Sequence, residues 1–376
     1  MSDKIIIISP FAPPEVGANA ERVSHFQSYF SKQGIPTEIW SPDRGNASVK
    51  GVRRYSSIRS LYSRIRNERP RLIIGTSPPM THSAVGAIGA FFSNIPFVLD
   101  IRDPWPDAAQ KIGLYSRWSP KYWIYKFLEH LTLFLASQVW VVNSYLQGQF
   151  SGIVAKKKVH VVANGTLPTR FKPSAVLRKK MRTHYHIPII SHVILFSGDF
   201  SSHGLESFLT HTIPCLKKKD AWVVLATSFS TPKTIPYWKS FFESHGYSNY
   251  TLIDLPAVPY ADVAGIFAMA DWGVSLVPPV LPYMIPVKTY DYMASGLFVV
   301  ARGPKGGALD TFLQTYDAGL FFASDEEAAK GMNEAFRFPK WKNASANAKT
   351  FSSLFNRDIQ AQKAMKLIHS ILKKEN

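Results

Sequence analysis

One cysteine, Cys215, stands in a chain of 376 residues. A disulfide framework is thereby excluded, and the cysteine itself implies no metal. Long apolar runs are lacking too. The most apolar stretches, Ser83 to Leu99 and Leu131 to Val142, are too short for a membrane span, and the first is broken by Ser93, Asn94 and Pro96; both read as helix-then-strand core. Met1 to Lys4 leads straight into an apolar strand with no basic region or small-residue cleavage site, so no signal peptide is expected. Acids are scarce: 26 Asp and Glu face 44 Lys and Arg, for a net charge of +18. No zinc-finger spacing, RRM signature, helix-turn-helix pattern or basic tail accompanies that charge, so nucleic acid is not an expected partner. What is present is a chain 46% hydrophobic and 13% aromatic, long enough for two cores.

The positive charge is clustered. Between Lys50 and Arg71, Arg53, Arg54, Arg59, Arg64, Arg66 and Arg69 face one acid, Glu68, while Ile58, Leu61, Tyr62 and Ile65 recur at helical spacing. That pattern is a basic amphipathic helix. Between Lys111 and Phe127, Tyr115, Arg117, Trp118, Lys121, Tyr122, Trp123, Tyr125 and Lys126 mix aromatic with basic residues, as at a bilayer interface. Each segment can alternatively lay its apolar face on the domain and leave its charges in water. Because both lie in the same half of the chain, the reading adopted is an anionic membrane surface bound through 50–71 and 111–127.

Apolar segments that read as strands (Lys4 to Ser9, Thr37 to Trp40, Arg71 to Gly75, Pro96 to Ile101, Val139 to Asn143, Val159 to Ala163) alternate with helical ones (Ala20 to Gln33, Thr81 to Phe92, Lys121 to Ala136). Strands separated by helices imply a parallel sheet with right-handed crossovers. The pattern repeats from Val193 with strands at Trp222 to Ala226, Thr251 to Ile253, Gly273 to Val277 and Leu297 to Ala301. The expected fold class is α/β, two Rossmann-like doubly wound domains facing a central cleft, with ligand at the carboxyl ends of the strands. The expected domains are 1–168 and 169–350, with terminal helices over 351–376 that can cross back to the first.

The stretch Ile285 to Ala301 carries the most chemistry. Pro286 opens a helix and Gly296 closes it. Tyr290, Met293, Ala294 and Leu297 fall on a core face, whereas Lys288, Asp291, Tyr292 and Ser295 share the opposite one. A cation and a carboxylate one turn apart at a helix start suit a nucleotide, Lys288 with the amides for phosphate and Asp291 for ribose hydroxyls. The same pair also reads as an ordinary ion pair on a helix surface.

Ile285 to Ala301 resembles the donor-binding stretch of family 4 glycosyltransferases, where Pro-Ser-Lys-x-x-Glu-Tyr-Met-Ala-x-Gly-x-Pro-Val precedes a strand. Other segments resemble that family in the same order. Pro10 to Ala20 is similar to its Pro-Glu-x-Gly-Gly loop, with Gly17, Ala18 in place of the second glycine, and a following Arg22. Gly75 to Met80, containing Ser77, is followed by Val-Leu-Asp-Ile-Arg-Asp-Pro-Trp-Pro-Asp (98–107), which resembles the Asp-x-Arg-Asp-Leu-Trp-Pro-Glu run of bacterial enzymes that build surface polysaccharides such as O-antigen and capsule. It puts Asp100, Arg102 and Asp103 on a strand-end loop, where Arg can hold a pyrophosphate or carboxylate and Asp can accept sugar hydroxyls. A structural Arg–Asp ion pair is the alternative. Asn143-Ser144 and Asn164-Gly165-Thr166 match the family's strand-end Asn-Ser and its Asn-Gly turn. Phe196 to Glu206 is similar to the glycine loop facing the donor diphosphate, through Gly198 and Gly204, with His203 where the family commonly has Lys. Leu255 to Val258 falls where family members meet the nucleobase. Tyr283 and Asp291 stand where two glutamates are common, so the loop Pro278 to Pro286, with Tyr283 and Met284, is left to hold the sugar.

The resemblance implies a retaining transfer from a nucleotide-sugar, most simply a UDP-sugar and an N-acetylated hexosamine among the options, to a lipid-linked saccharide at the cytoplasmic face of the membrane. Donor contacts fall on Gly17, Ala18, Gly198, His203, Gly204, Val258, Tyr283, Met284, Lys288 and Asp291, and acceptor contacts on Arg22, Ser77, Asp100, Arg102 and Asp103. Arg102, Asp103 and Lys288 would support the chemistry. No dedicated base, cofactor or metal is implied, because the departing phosphate can act as base and helix amides with basic side chains hold it. A UDP-N-acetylglucosamine 2-epimerase shares the architecture, but its His and Glu pairs are not found in the crevice loops. A non-catalytic protein of this fold is the third reading, motivated by His203, Tyr283 and Asp291.

Overall fold

The computed structural model describes residues 2–15, 17–47, 49–198, 204–229, 233–259, 262–337 and 344–373. The chain divides into two compact units, Met1–Asn164 with Arg357–Asn376, and Gly165–Asn356. The edge between them thus lies at Asn164/Gly165, against an expected 168/169, and the last crossing lies at Asn356/Arg357, inside the expected 351–376 segment.

In the first unit the elements run β1 (Ser2–Ile8), α1 (Ala18–Lys32), β2 (Thr37–Pro42), β3 (Val52–Tyr55), α2 (Ile58–Glu68), β4 (Pro70–Ser77), α3 (Met80–Phe91), β5 (Phe97–Ile101), α4 (Asp107–Lys111), α5 (Pro120–Leu135), β6 (Gln138–Val141), α6 (Ser144–Ser151) and β7 (Val159–Val161). Among the described residues the sheet has seven strands, all parallel, in the order β3-β2-β1-β4-β5-β6-β7. Ile5, Ile7, Leu72, Ile74 and Val98 are buried in one apolar core with Val23, Phe26 and Phe30 of α1. A strand covered on both faces must be apolar throughout, which is why Lys-Ile-Ile-Ile-Ile reads as an unbroken run.

The second unit holds α7 (Ala175–His184), β8 (Val193–Ser197), α8 (Leu205–Lys218), β9 (Trp222–Thr227), α9 (Ile235–Ser244), β10 (Tyr250–Asp254), α10 (Val263–Ala268), β11 (Trp272–Leu276), α11 (Val287–Ala294), β12 (Phe298–Arg302), α12 (Ala308–Tyr316), β13 (Gly319–Phe322), α13 (Asp325–Ala335) and α14 (Ala344–Phe355). Its six parallel strands, among the described residues, are ordered β10-β9-β8-β11-β12-β13. The chain then returns to the first unit as α15 (Arg357–Leu372). There Gln360 accepts the Ala163 N–H at 2.9 Å, and Arg357 pairs with Glu21 at 2.9 Å.

Both sheets reverse direction once. The chain builds outward from β1 through β2 to β3, then restarts on the other side of β1 with β4; in the second unit the same reversal falls between β8 and β11. Such switch points open a crevice at the carboxyl ends of the two central strands.

Two expectations are corrected. The segment 50–71 does not run as one helix: Val52–Tyr55 is an edge strand beside β2, and only Ile58–Glu68 is helical. An edge strand has a single neighbour and tolerates charged residues, so Arg53 and Arg54 hide the strand from a hydropathy reading. Nor is α11 amphipathic. Asp291, Tyr292 and Ser295 are buried along with Tyr290, Met293 and Ala294. The helix lies between the sheet and α14, whose Phe351 and Phe355 rings meet Tyr290 tilted and edge-on, so beyond its first turn, where Lys288 is half-buried, it is covered on both sides.

Candidate functional site

In the second unit the strand ends at the switch point bring several sequence-predicted residues together. Gly198 follows β8 with a φ of 117°, a conformation glycine adopts freely. Residues 199–203 are outside the described set, and His203 with them. Gly204 (φ 70°) precedes α8 and supplies no side-chain cap, which leaves the first-turn amides of that helix to other partners.

Lys288 sits in the first turn of α11. A Cβ built on Gly198 would be 3.7 Å from its Cγ, so the glycine turn and the lysine are neighbours. The Lys288 side chain is half-buried, 5.6 Å above the Phe267 ring, with Nζ 3.4 Å from Asp291 Oδ2. Asp291 is only 1% exposed. Its other oxygen accepts the Thr166 hydroxyl at 2.9 Å. The carboxylate therefore holds Lys288 and the Thr166 segment; the i, i+3 pair forms, with its acid buried instead of on a helix surface. Tyr283 is buried, and Met284 and Val258 pack half-buried against the same core.

Two further residues shape this site without being read as site residues from the sequence, although its spacing puts Tyr292 on the Lys288 face of its helix. Arg302, the last residue of β12, donates to the carbonyls of Val277 (3.1 Å) and Gly204 (3.3 Å) and pairs with Asp325 at 2.9 Å, fastening three segments around the strand ends. A lone arginine closing the apolar run Val-Val-Ala was the available signal. Tyr292 accepts the Ser197 N–H at 2.8 Å, and burial pushes its phenol well above the usual range. Its ring lies over Gly273 so closely that a Cβ there would fall 2.2 Å away.

In the first unit the corresponding loops follow β1, β4 and β5. Gly17 (φ 139°) and Ala18 lead into α1, with open space where a Gly17 Cβ would stand. Arg22 and Asp100 meet each other: Nε donates to Oδ2 at 2.9 Å and Nη2 to Oδ1 at 2.8 Å. Arg22 also donates to the carbonyls of Val162 and Ala163, and both side chains are buried. The Arg–Asp pair read within this loop does not form: Asp100 is taken by Arg22 of α1, and Arg102 donates instead to the Pro78 carbonyl at 3.3 Å. Arg102 is buried beside Ser77, to whose carbonyl its amide donates at 3.1 Å. Burial pulls its pKa down to about 10, against the attraction of Asp100 and Asp103. Burial likewise raises the Asp103 carboxyl, opposed by Arg102.

The two basic segments differ. Leu61 and Ile65 of α2 are buried, Arg53 pairs with Glu38 and Glu68, and Arg66 and Arg69 donate to the carbonyls of Phe92 and Ser93. That segment spends its apolar side and several charges on its own domain. In contrast, Trp123, Ile124, Phe127 and Phe134 of α5 are exposed, as are Ile112, Leu114 and, at 85%, Trp118 just before it. The inner side of α5 is tied down by Lys126, which pairs with Asp107 at 2.8 Å and with the buried Glu129 at 2.6 Å. Among the described residues no helix is long and apolar enough to cross a membrane, and no group of three His, Cys, Asp or Glu side chains could hold a metal ion.

Comparison with known proteins agrees with this architecture. Residues 13–165 match the Glycosyl transferase 4-like domain. No curated protein matches the chain. Solved structures that resemble it over nearly its whole length include a glycosyltransferase from Rickettsia africae (14% identity, 99% of each chain covered, TM-score 0.75). Sucrose-phosphate synthase from Thermosynechococcus elongatus is similar at 14% identity, covering 99% of this chain and 100% of that one, TM-score 0.78. Anabaena HepE in complex with UDP matches at 16% identity over 98% and 100%, TM-score 0.69. The fold is the two-domain GT-B architecture, and with a glycosyl transferase 4-like domain over its first unit the chain is a glycosyltransferase.

Proposed function

We propose that the protein is a retaining glycosyltransferase that moves a sugar from a UDP-sugar to a lipid-linked saccharide of bacterial surface-polysaccharide assembly, working peripherally at the cytoplasmic membrane face. The observation that carries the donor side is the meeting of Gly198 with Lys288 at the switch point of the second sheet. A backbone turn free of side chain, a cation on an adjoining helix start and uncapped first-turn amides are complementary to a diphosphate. Breaking a sugar–phosphate bond loads negative charge onto the leaving nucleotide, and these groups stabilise it without rearranging. Asp291 acts through Lys288, holding the ammonium in place. The departing phosphate takes the acceptor proton, so no side-chain base and no resident metal are invoked.

The exposed aromatic face of α5 supports the membrane location. Tryptophan and phenylalanine set in the headgroup layer, with Arg117, Lys121 and a net charge of +18 drawn to anionic lipid, is how a peripheral protein binds a bilayer without crossing it. Titration calorimetry with UDP, GDP and CDP, without added metal, tests the donor assignment. One nucleotide, UDP, is expected to bind, and Lys288→Ala to weaken it at least about tenfold, the usual loss for one charged hydrogen-bond donor. Equal binding by wild type and Lys288→Ala would remove the donor site from this crevice.

A further inference from the structure

Five buried polar atoms without a hydrogen-bond partner fall in two short segments: Thr76 Oγ1, Ser77 Oγ, Arg102 Nε, Arg102 Nη1 and Trp105 Nε1. The segments are neighbours. Thr76 pairs with Asp100 and Ser77 with Ile101 across β4 and β5. Beyond the strands, the Arg102 amide donates to the Ser77 carbonyl at 3.1 Å and Nη2 to the Pro78 carbonyl at 3.3 Å.

A guanidinium 8% exposed with two nitrogens unsatisfied is an expensive arrangement, because a buried charge lacks both water and partner. The natural counter-ion, Asp100, is already held through both oxygens by Arg22. Asp103 attracts Arg102 through space without hydrogen-bonding it. The unsatisfied groups are two guanidinium N–H donors, an indole N–H and two hydroxyls; the hydroxyls of Thr76 and Ser77 point to opposite faces of β4, so the donors of Arg102 and Trp105 with the Ser77 hydroxyl are the set that an acceptor of several hydrogen bonds suits. An oxyanion fits, and a phosphate with three oxygens fits best. Half-buried Pro78, Pro79, Asp103 and Trp105 put the cluster close beneath the surface, one strand over from the switch point between β1 and β4.

We propose that the ends of β4 and β5 seat the phosphate of the acceptor: the glycosyltransferase takes a lipid whose phosphate lies close to the hydroxyl that receives the sugar, and Arg102, Trp105 and Ser77 grip that phosphate. The proposal rests on the transferase reading for the identity of the lipid, and on the orphaned donors for the anion.

Farnesyl phosphate and inorganic phosphate, titrated separately into wild type and Arg102→Met, test it. Farnesyl phosphate is expected to bind wild type, to shift the Trp105 indole N–H resonance, identified by its loss in Trp105→Phe, and to bind Arg102→Met at least about tenfold more weakly. Without ligand, Arg102→Met is expected to melt no lower than wild type, because the residue removed is a buried charge with two unsatisfied nitrogens. Farnesyl phosphate binding equally to both proteins, or leaving the Trp105 resonance unmoved, overturns the seat, the second even where Arg102→Met fails to fold. Inorganic phosphate binding as tightly as the lipid overturns the acceptor assignment in favour of a free-anion site. UDP binding separates the two ideas: a protein that binds UDP but no farnesyl phosphate lacks the seat alone, and one that binds farnesyl phosphate but no nucleotide lacks the donor function alone.

Discussion

At the scale of single residues, burial decides what each candidate side chain can do. Asp100 near the end of β5 and Arg22 in the second turn of α1 occupy positions suited to substrate, yet each is the other's partner, so they order the first unit. Asp100→Ala leaves a buried guanidinium unpaired, and the expected loss of stability is about 3–5 kcal/mol, measured by denaturant unfolding. A variant of wild-type stability with impaired acceptor use would instead make Asp100 a substrate contact. Residue identities along the crevice were legible in the sequence, because strand-end glycines, Lys288 and the Asp-x-Arg-Asp run are chemically distinctive. Their pairings were not: nothing in the order of residues says that Asp100 turns to Arg22, 78 positions away, or that Asp291 turns to Thr166. Pairing depends on which atoms the fold brings within about 3 Å, and two oppositely charged groups on one loop need not choose each other.

At the scale of elements, period and composition read well where one side of an element meets water and poorly elsewhere. Strands of the central sheets were visible as short apolar runs, and α1 by its Val23, Phe26 and Phe30 spacing. The edge strand β3 was hidden by its arginines, and α11 misled because a helix enclosed on both sides can carry Asp291 and Tyr292 inward once they find partners. Tyr292 is the clearest instance. Its hydroxyl binds the end of β8 while its ring fills the place where a side chain on β11 would stand, so α11 is keyed to two strands at once. Gly273→Ala is expected to destabilise the second unit by about 1–3 kcal/mol, through a displaced Tyr292, and to weaken nucleotide binding because the Ser197–Gly198 turn moves with it. Thermal unfolding followed together with UDP affinity checks this; an unchanged melting temperature would show that the ring gives way at no cost.

For the molecule as a whole, the charge of +18 is consistent with the proposed anionic surface, and the exposed aromatic residues say which kind of surface to test. Scattered charge alone would suit many polyanions. Trp118, Trp123 and Phe127 standing out from the same short region of the first unit suit a bilayer surface. The triple change of Trp118, Trp123 and Phe127 to serine is expected to abolish most co-sedimentation with phosphatidylglycerol vesicles while UDP affinity in solution stays the same. Undiminished vesicle binding by that variant would put the membrane contact elsewhere, 50–71 being the other basic candidate, although its helix already commits Leu61 and Ile65 to the domain core.

The central claim is sugar transfer, and the most direct measurement is mass spectrometry of lipid products after incubating the protein with a panel of UDP-sugars and bacterial membranes carrying lipid-phosphate saccharides, wild type beside Lys288→Ala. The account predicts one donor from the panel consumed, its sugar found on lipid with the anomeric configuration retained, and both signals lost in the variant. UDP bound by wild type with no sugar reaching lipid from any donor, or transfer undiminished by Lys288→Ala, would contradict it.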